Sequence, residues 1–184
     1  MSRTRTAGAV RPTGQERRLE PEDLIVSKTD RRGVITYANE PFLRISRYAE
    51  DEVLGRPHNL LRHPDMPRAV FKLLWDSLEA GREVFAYINN LAGDGAHYWV
   101  LANVTPSYDA HGSVVGYHSS RRAPSPGSVA AVSAVYERLR AEERRHPTGS
   151  AAVQAGSALL DALLAERGLT YDQFVWSLID DGGC

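Results

Sequence analysis

The sequence predicts an α+β domain in which one five-stranded antiparallel sheet carries helices on one face, with a helical tail appended. Three observations predict it. Two short strand-like runs come first, helical spacing fills the region from about residue 40 to 80, and three runs of period two follow before residue 122. Strands, then helices, then strands in that order suit a single antiparallel sheet covered on one face rather than alternating βαβ units.

The first two strands lie within residues 23–37, where Leu24, Ile25 and Val26 lead into the turn Thr29 to Gly33, and Val34, Ile35 and Tyr37 follow. Asp and Gly at that turn predict a hairpin. After Asn39 the apolar residues Phe42, Leu43, Ile45 and Tyr48 alternate at helical spacing with Glu40, Arg44 and Arg47, which predicts short helices over 40–55. The segment PHNLLRHPDMP, from Pro57 to Pro67, holds three prolines and leaves room for a helical turn or two only. Pro67 opens a longer helix whose Val70, Phe71, Leu74, Trp75 and Leu78 form one stripe, and Gly81 stops it. Strands are then expected from Val84 to Asn90, His97 to Thr105 and Val114 to Ser120, with turns at Gly93–Gly95 and near Asp109–Gly112.

Residues 123–128, APSPGS, read as a linker. A helix with Val129, Val132, Val135, Tyr136 and Leu139 on one stripe follows, then a second over Ala151 to Arg167. Thr170 and Gln173 form the signature of a capping box opening a third. Four regions are expected: a disordered basic leader over 1–19, a folded domain over 20–122, the linker over 123–128, and a helical tail over 129–184.

Composition narrows the function classes. The 184 residues are 42% hydrophobic, enough for a buried core, and 22 basic side chains against 23 acidic ones give no global field toward nucleic acid. The leader carries Arg3, Arg5, Arg11, Arg17 and Arg18 but lacks the apolar stretch of a secretory signal, and no run is long enough to span a bilayer, so a cytoplasmic location is expected. The only cysteine is Cys184, which excludes disulfides within the chain and weighs against a photosensor with a flavin adduct on a core cysteine. There is no phosphate-binding glycine loop, HExxH pair or GxSxG elbow, so a catalyst is not expected.

Arg62 and His63 place one fixed and one conditional positive charge just before a helix N-terminus, where backbone N–H groups and the helix dipole favour an anion. Asp65 can act as a hydrogen-bond acceptor or cap that helix. The strings TDRRGVITYANEPFLRISRY, GRPHNLLRHPDMP and GAHYWVLANVTP are similar, in order and spacing, to the PAS domains of bacterial aerotaxis receptors over residues 23 to about 122. The histidine-arginine-proline string is the specific part of that resemblance; the strand motifs are common to PAS domains at large.

The resemblance implies a PAS fold, noncovalently held FAD, and redox or oxygen sensing relayed to a chemotaxis-type or kinase-type signalling partner, with a homodimer as the expected assembly. It assigns Arg62, His63 and Asp65 to flavin binding and Asn39, Phe71 and Asn90 to the pocket lining. Val84 stands where those receptors carry a flavin-contacting tryptophan, which removes a stacking surface of about 1 kcal/mol. Phe71 with Trp75 reads equally as core, on the stripe with Leu74 and Leu78. Tyr98 and Trp99 face opposite ways, so one of them lines the interior, and Trp99 is kept as a candidate. Asn90 and Asn103 are balanced between orienting a ring edge and satisfying local backbone. Two alternatives stand beside FAD: a haem gas sensor using His58, His63, His97 or His118 as axial ligand, and a cofactor-free scaffold that dimerises through its tail.

Overall fold

The computed structural model describes residues 10–180, and the element order is β1 (Ile25–Asp30), β2 (Ile35–Ala38), α1 (Glu40–Ser46), α2 (Glu50–Val53), a 3-10 turn (His58–Leu61), α3 (Arg68–Glu79), β3 (Val84–Leu91), β4 (His97–Tyr108), β5 (Val114–Arg122), α4 (Pro126–Arg144), α5 (Gly149–Glu166) and α6 (Tyr171–Asp180). The five strands form one sheet in the order β2-β1-β5-β4-β3, so the first strand lies at its interior beside the last. The chain divides into two compact units: one takes the residues up to His63 with Asn89–Val100 and Pro106–Ala123, the other Pro64–Ile88, Leu101–Thr105 and the residues from Pro124 on.

In the first unit β1 pairs antiparallel with both β2 and β5, with Ser27 opposite Ser119 and Ile25 opposite Arg121. Paired residues share a face, and side chains alternate along a strand, so Ile25, Ser27, Tyr117, Ser119 and Arg121 all turn the same way and are all buried. Gly116 is required by this ladder, because a Cβ there would sit 2.1 Å from the Thr29 carbonyl oxygen. The β1–β2 turn is closed by Asp30, whose Oδ1 accepts from the backbone N–H of Arg32 at 2.8 Å and of Val34 at 2.9 Å.

Asn39 fastens α1 to the sheet. Its Oδ1 accepts from Phe42 N at 3.1 Å, as an N-cap should, and also from Val26 N at 3.0 Å, while its Nδ2 donates to Leu24 O at 2.8 Å. Phe42 and Ile45 then point inward and are buried, and Asn39 has spent its side chain on backbone.

The expected disordered leader is corrected over residues 13–17. Thr13 N donates to Gly95 O at 2.8 Å, His97 N to Gln15 O at 2.8 Å and Arg17 N to His97 O at 2.7 Å, so this segment runs alongside the start of β4. Arg17 secures it by reaching Ile45 O at 2.9 Å and Asp94 Oδ2 at 2.6 Å. Gly95, at φ 89°, lets the segment pass: a Cβ there would meet Arg11 O at 2.4 Å. Composition marks such a stretch as polar, but main-chain hydrogen bonds order it. Residues 1–9 of the leader and the terminal Cys184 lie outside the described residues.

In the second unit α4 begins at Pro126, capped by Ser125 Oγ accepting from Ser128 N at 3.0 Å, so the expected linker over 123–128 shortens to the few residues before the cap. Ser128 Oγ donates to Leu178 O at 2.6 Å, and Tyr136 OH to Tyr87 O at 2.9 Å, which ties α4 to α6 and to β3. The capping box at α6 forms as its sequence predicts, with Gln173 N donating to Thr170 Oγ1 at 3.2 Å and Thr170 N to Gln173 Oε1 at 2.8 Å. Phe85, on β3, meets Trp176 of α6 with ring centroids 4.8 Å apart.

The N-terminus of α3 is capped from α4. Glu143, 8% exposed, accepts from Arg68 N at 3.0 Å and Ala69 N at 2.9 Å, and Gly156 of α5 closes over it, since a Cβ there would come within 2.7 Å of its Oε1. Two charge-assisted bonds from orphan helix amides to one buried carboxylate, each worth about 1.5–3 kcal/mol, make this a strong polar link within the unit. Truncation by Glu143→Ala is expected to lower unfolding free energy by about 2–4 kcal/mol, read by urea denaturation; a loss below 0.5 kcal/mol would show that water replaces the carboxylate.

Candidate functional site

The buried polar interior of the first unit is built where β1 and β5 run side by side beneath α1 and the 3-10 turn. Period two delivers Ser27 from β1 and Ser119 and Arg121 from β5. The 3-10 turn adds His58, and β4 adds Tyr98, which is 1% exposed. Phe42 of α1 forms an apolar wall: its ring lies 6.1 Å from that of His58, edge-on, and 5.9 Å from the Arg121 guanidinium.

Arg121 dominates the electrostatics. It is 5% exposed, and its Nη2 donates to Ser27 Oγ at 3.0 Å and to His58 Nε2 at 2.8 Å. Among the described residues no carboxylate pairs with it, and neither its Nη1 nor Ser119 Oγ makes a hydrogen bond. Loss of water around the guanidinium pushes its pKa down to about 10, against a smaller opposing effect of the Tyr98 phenol. An isolated buried cation costs several kcal/mol even after the protein relaxes, so this cluster is destabilising as it stands.

His58 is held neutral. Desolvation first, and then the adjacent Arg121 charge, push its pKa down to about 3. Because Arg121 donates to Nε2, that nitrogen is the acceptor and Nδ1 carries the proton. Burial likewise raises the Tyr98 phenol, which stays protonated throughout the ordinary pH range.

The residues singled out from the sequence fall into different places. Arg62 and Asn90 pair through an isolated antiparallel backbone bridge; Asn90 and His63 are buried, Arg62 is half-buried, and the His63 ring lies edge-on to His97 at 5.7 Å. Asn39 is the cap described above. Tyr98 is buried and Trp99 half-buried, so of that pair it is Tyr98 that reaches the polar cluster. In the second unit Asp65 forms an ion pair with Arg140 at 2.5 Å, Asn103 Nδ2 donates to Glu83 Oε1 at 2.7 Å, Phe71 is half-buried on α3, and Val84 is 1% exposed. Two amides at the α3 N-terminus, those of Arg68 and Ala69, are already satisfied by Glu143 of the chain itself. Of the four histidines weighed as axial ligands, His58 has its Nε2 on Arg121, His63 and His97 face one another, and His118 lies one residue out of phase with the inward positions 117, 119 and 121.

Sequence reasoning passed over Arg121, Ser27 and Ser119. The available signal was parity: with Tyr117 inward on a strand, residues 119 and 121 must follow it, and an arginine on an inward position is a functional flag.

A five-stranded antiparallel sheet with its first strand inside and short helices over buried polar side chains defines an α+β domain of the PAS type. The family profile described as PAS fold matches residues 17–119, and the chain belongs to that family. Among curated proteins it is 38% identical over 129 residues to the aerotaxis receptor of Escherichia coli (strain K12), covering 70% of this chain and 25% of that protein. It is 30% identical over 104 residues to the nitrogen fixation regulatory protein of Klebsiella pneumoniae, covering 56% of this chain and 21% of the other. The chain thus spans a quarter or less of these relatives. Among solved structures, a light-oxygen-voltage domain studied with a flavin analogue superposes with a TM-score of 0.53 at 26% identity over 67% of this chain and 87% of that one. The dark structure of the blue-light photoreceptor Aureochrome1 LOV gives 0.53 at 27%, over 63% and 86%. Among the described residues no helix is long and apolar enough to cross a membrane, and no group of three His, Cys, Asp or Glu side chains is placed to hold a metal ion.

The depressed His58 pKa has a directional consequence. The unfolded chain takes up a proton near pH 6.5 and the folded one only near 3, so stability is full above 6.5 and is lost as pH falls toward 3. The His58 contribution to the slope approaches about 1.4 kcal/mol per pH unit within that window. Urea midpoints measured between pH 7 and 4 should therefore fall less steeply for His58→Gln than for the wild type; equal slopes would place the acid sensitivity elsewhere.

Proposed function

We propose that this chain is a cytoplasmic sensory module that binds FAD and reports redox or oxygen state through its C-terminal helices, as a homodimer or to a separate signalling protein. The observation that carries this reading is the buried Arg121 with its unused Nη1 beside Ser119, in the interior of a PAS sheet. Hydrogen-bond donors without acceptors suit a planar ring whose edge is rich in carbonyl oxygens and ring nitrogens. The likeness to an aerotaxis receptor and to a domain studied with a flavin analogue supports the same class of ring.

In this reading Arg121, Ser119 and Ser27 orient the ring edge, Phe42 supplies an apolar surface, and Arg62 with His63 meets the more polar end of the cofactor. Bound flavin would supply reversible electron uptake. Its change in charge bears on Arg121, which lies near the C-terminal end of β5, and the chain passes from there through the Ser125 cap directly into α4. A shift at β5 thus has a short covalent route to the tail, where it biases how the helices meet each other or a partner.

A visible spectrum of freshly purified protein should show the two bands of oxidised flavin, and denaturation should release FAD. The double substitution Arg62→Ala with His63→Ala should cut retained FAD at least tenfold while leaving the far-ultraviolet circular dichroism unchanged. A colourless protein that takes up no FAD on reconstitution removes the flavin reading, and undiminished retention in the double variant removes the role given to these two side chains.

A further inference from the structure

The flavin reading leaves one question that the interior of the first unit bears on: which state of the ring the site prefers. Arg121 is a permanent cation, 95% buried by its 5% exposure, with two donors used on neutral groups and one nitrogen unused. His58 cannot offset the charge, because it is a neutral acceptor, and Tyr98 remains a neutral phenol. Ser27, Ser119 and Phe42, the other neighbours in the cluster, carry no charge either. Among the described residues the cluster around Arg121 therefore carries its positive charge without a negative complement, in surroundings where charges act strongly on each other.

We propose that Arg121, held in place by Ser27 and His58, is the specificity-determining residue that receives the electron-rich edge of the ring and favours its reduced, negatively charged form. The inference rests on the flavin reading given above. When a hydride donor of the reduced nicotinamide class passes a hydride to the neutral oxidised ring, the ring gains two electrons and one proton and so carries one negative charge. That charge is the complement Arg121 lacks. Return of the two electrons and the proton to an oxidant such as oxygen restores the neutral ring and leaves Arg121 uncompensated again, so the same ion pair that raises the potential also makes the oxidised state the strained one.

Two variants and two measurements test this on the full chain. Midpoint potentials are read with dithionite as reductant and a reference dye. Arg121→Met should weaken binding of the reduced relative to the oxidised flavin at least tenfold, which lowers the potential by about 30 mV or more for a two-electron couple, whereas Arg121→Lys, which keeps the charge, should lie closer to the wild type. Equal potentials in wild type and Arg121→Met overturn the proposal. The second measurement needs no flavin: the melting temperature of cofactor-free protein should rise in Arg121→Met, because an unpaired buried charge has been removed. If it falls instead, the guanidinium serves to hold Ser27 and His58 together and the proposal is overturned. A wild type that takes up no flavin while Arg121→Met still melts higher would sink the flavin reading and with it the redox role, yet support a buried subsite for an electron-rich ligand.

Discussion

Everything in the first unit depends on the pairing of β1 with β5. Residues 25–30 and 116–121 are joined by one antiparallel ladder, and the chain between them must leave and return for it to close. That single register brings Ser27 opposite Ser119 and sets Arg121 within reach of the Ser27 hydroxyl. A slip of one residue would turn Ser119 and Arg121 outward and Ser120 and Arg122 inward, dismantling the polar cluster while leaving the strands intact. Asn39 and Gly116 guard the register from two sides, the first by tying Val26 to the start of α1 and the second by leaving room for the Thr29 carbonyl.

The interior that results is unusual for a small domain. Core positions that apolar residues would fill are given to Ser27, Ser119 and Arg121, and the packing around them is completed by Phe42, Ile25 and Tyr98. Such placements weaken the free domain. Under the proposed function a ligand would restore the missing partners, and a group that satisfied Arg121 would stabilise the protein by mass action. In the second unit Glu143, Ser128 and Tyr136 each meet a backbone partner, and among the described residues the Tyr171 hydroxyl is its buried group without one.

Much of the fold was legible because turn chemistry and hydrophobic period agree. The Asp30 turn, the Gly81 stop, the Thr170–Gln173 capping box and the three late strands all lie where the sequence puts them. The extra residues at the ends of β4 and β5 come from sheet pairing, which has no local signature: Arg121 joins β5 because Ile25 is opposite it. The candidate site was less legible, for two reasons. Arg121–Arg122 reads as a solvated charge pair at a strand end, although parity with Tyr117 turns one of them inward. Glu143 sits in the charged run 140–145, yet it continues the spacing of Val132, Tyr136 and Leu139, so the apolar stripe of α4 ends in a carboxylate. The ordering of residues 13–17 had no signal in composition, because backbone groups supply it.

That carboxylate gives the second unit a property of practical use. The amide protons of Arg68 and Ala69 are satisfied by a side chain 74 or 75 residues further along, not by their own helix. Their exchange with solvent deuterium therefore reports on α4, since opening of the tail exposes them even if α3 stays wound. A nuclear spin at Ala69 becomes a remote gauge of where the tail is, readable without an added label or an activity assay.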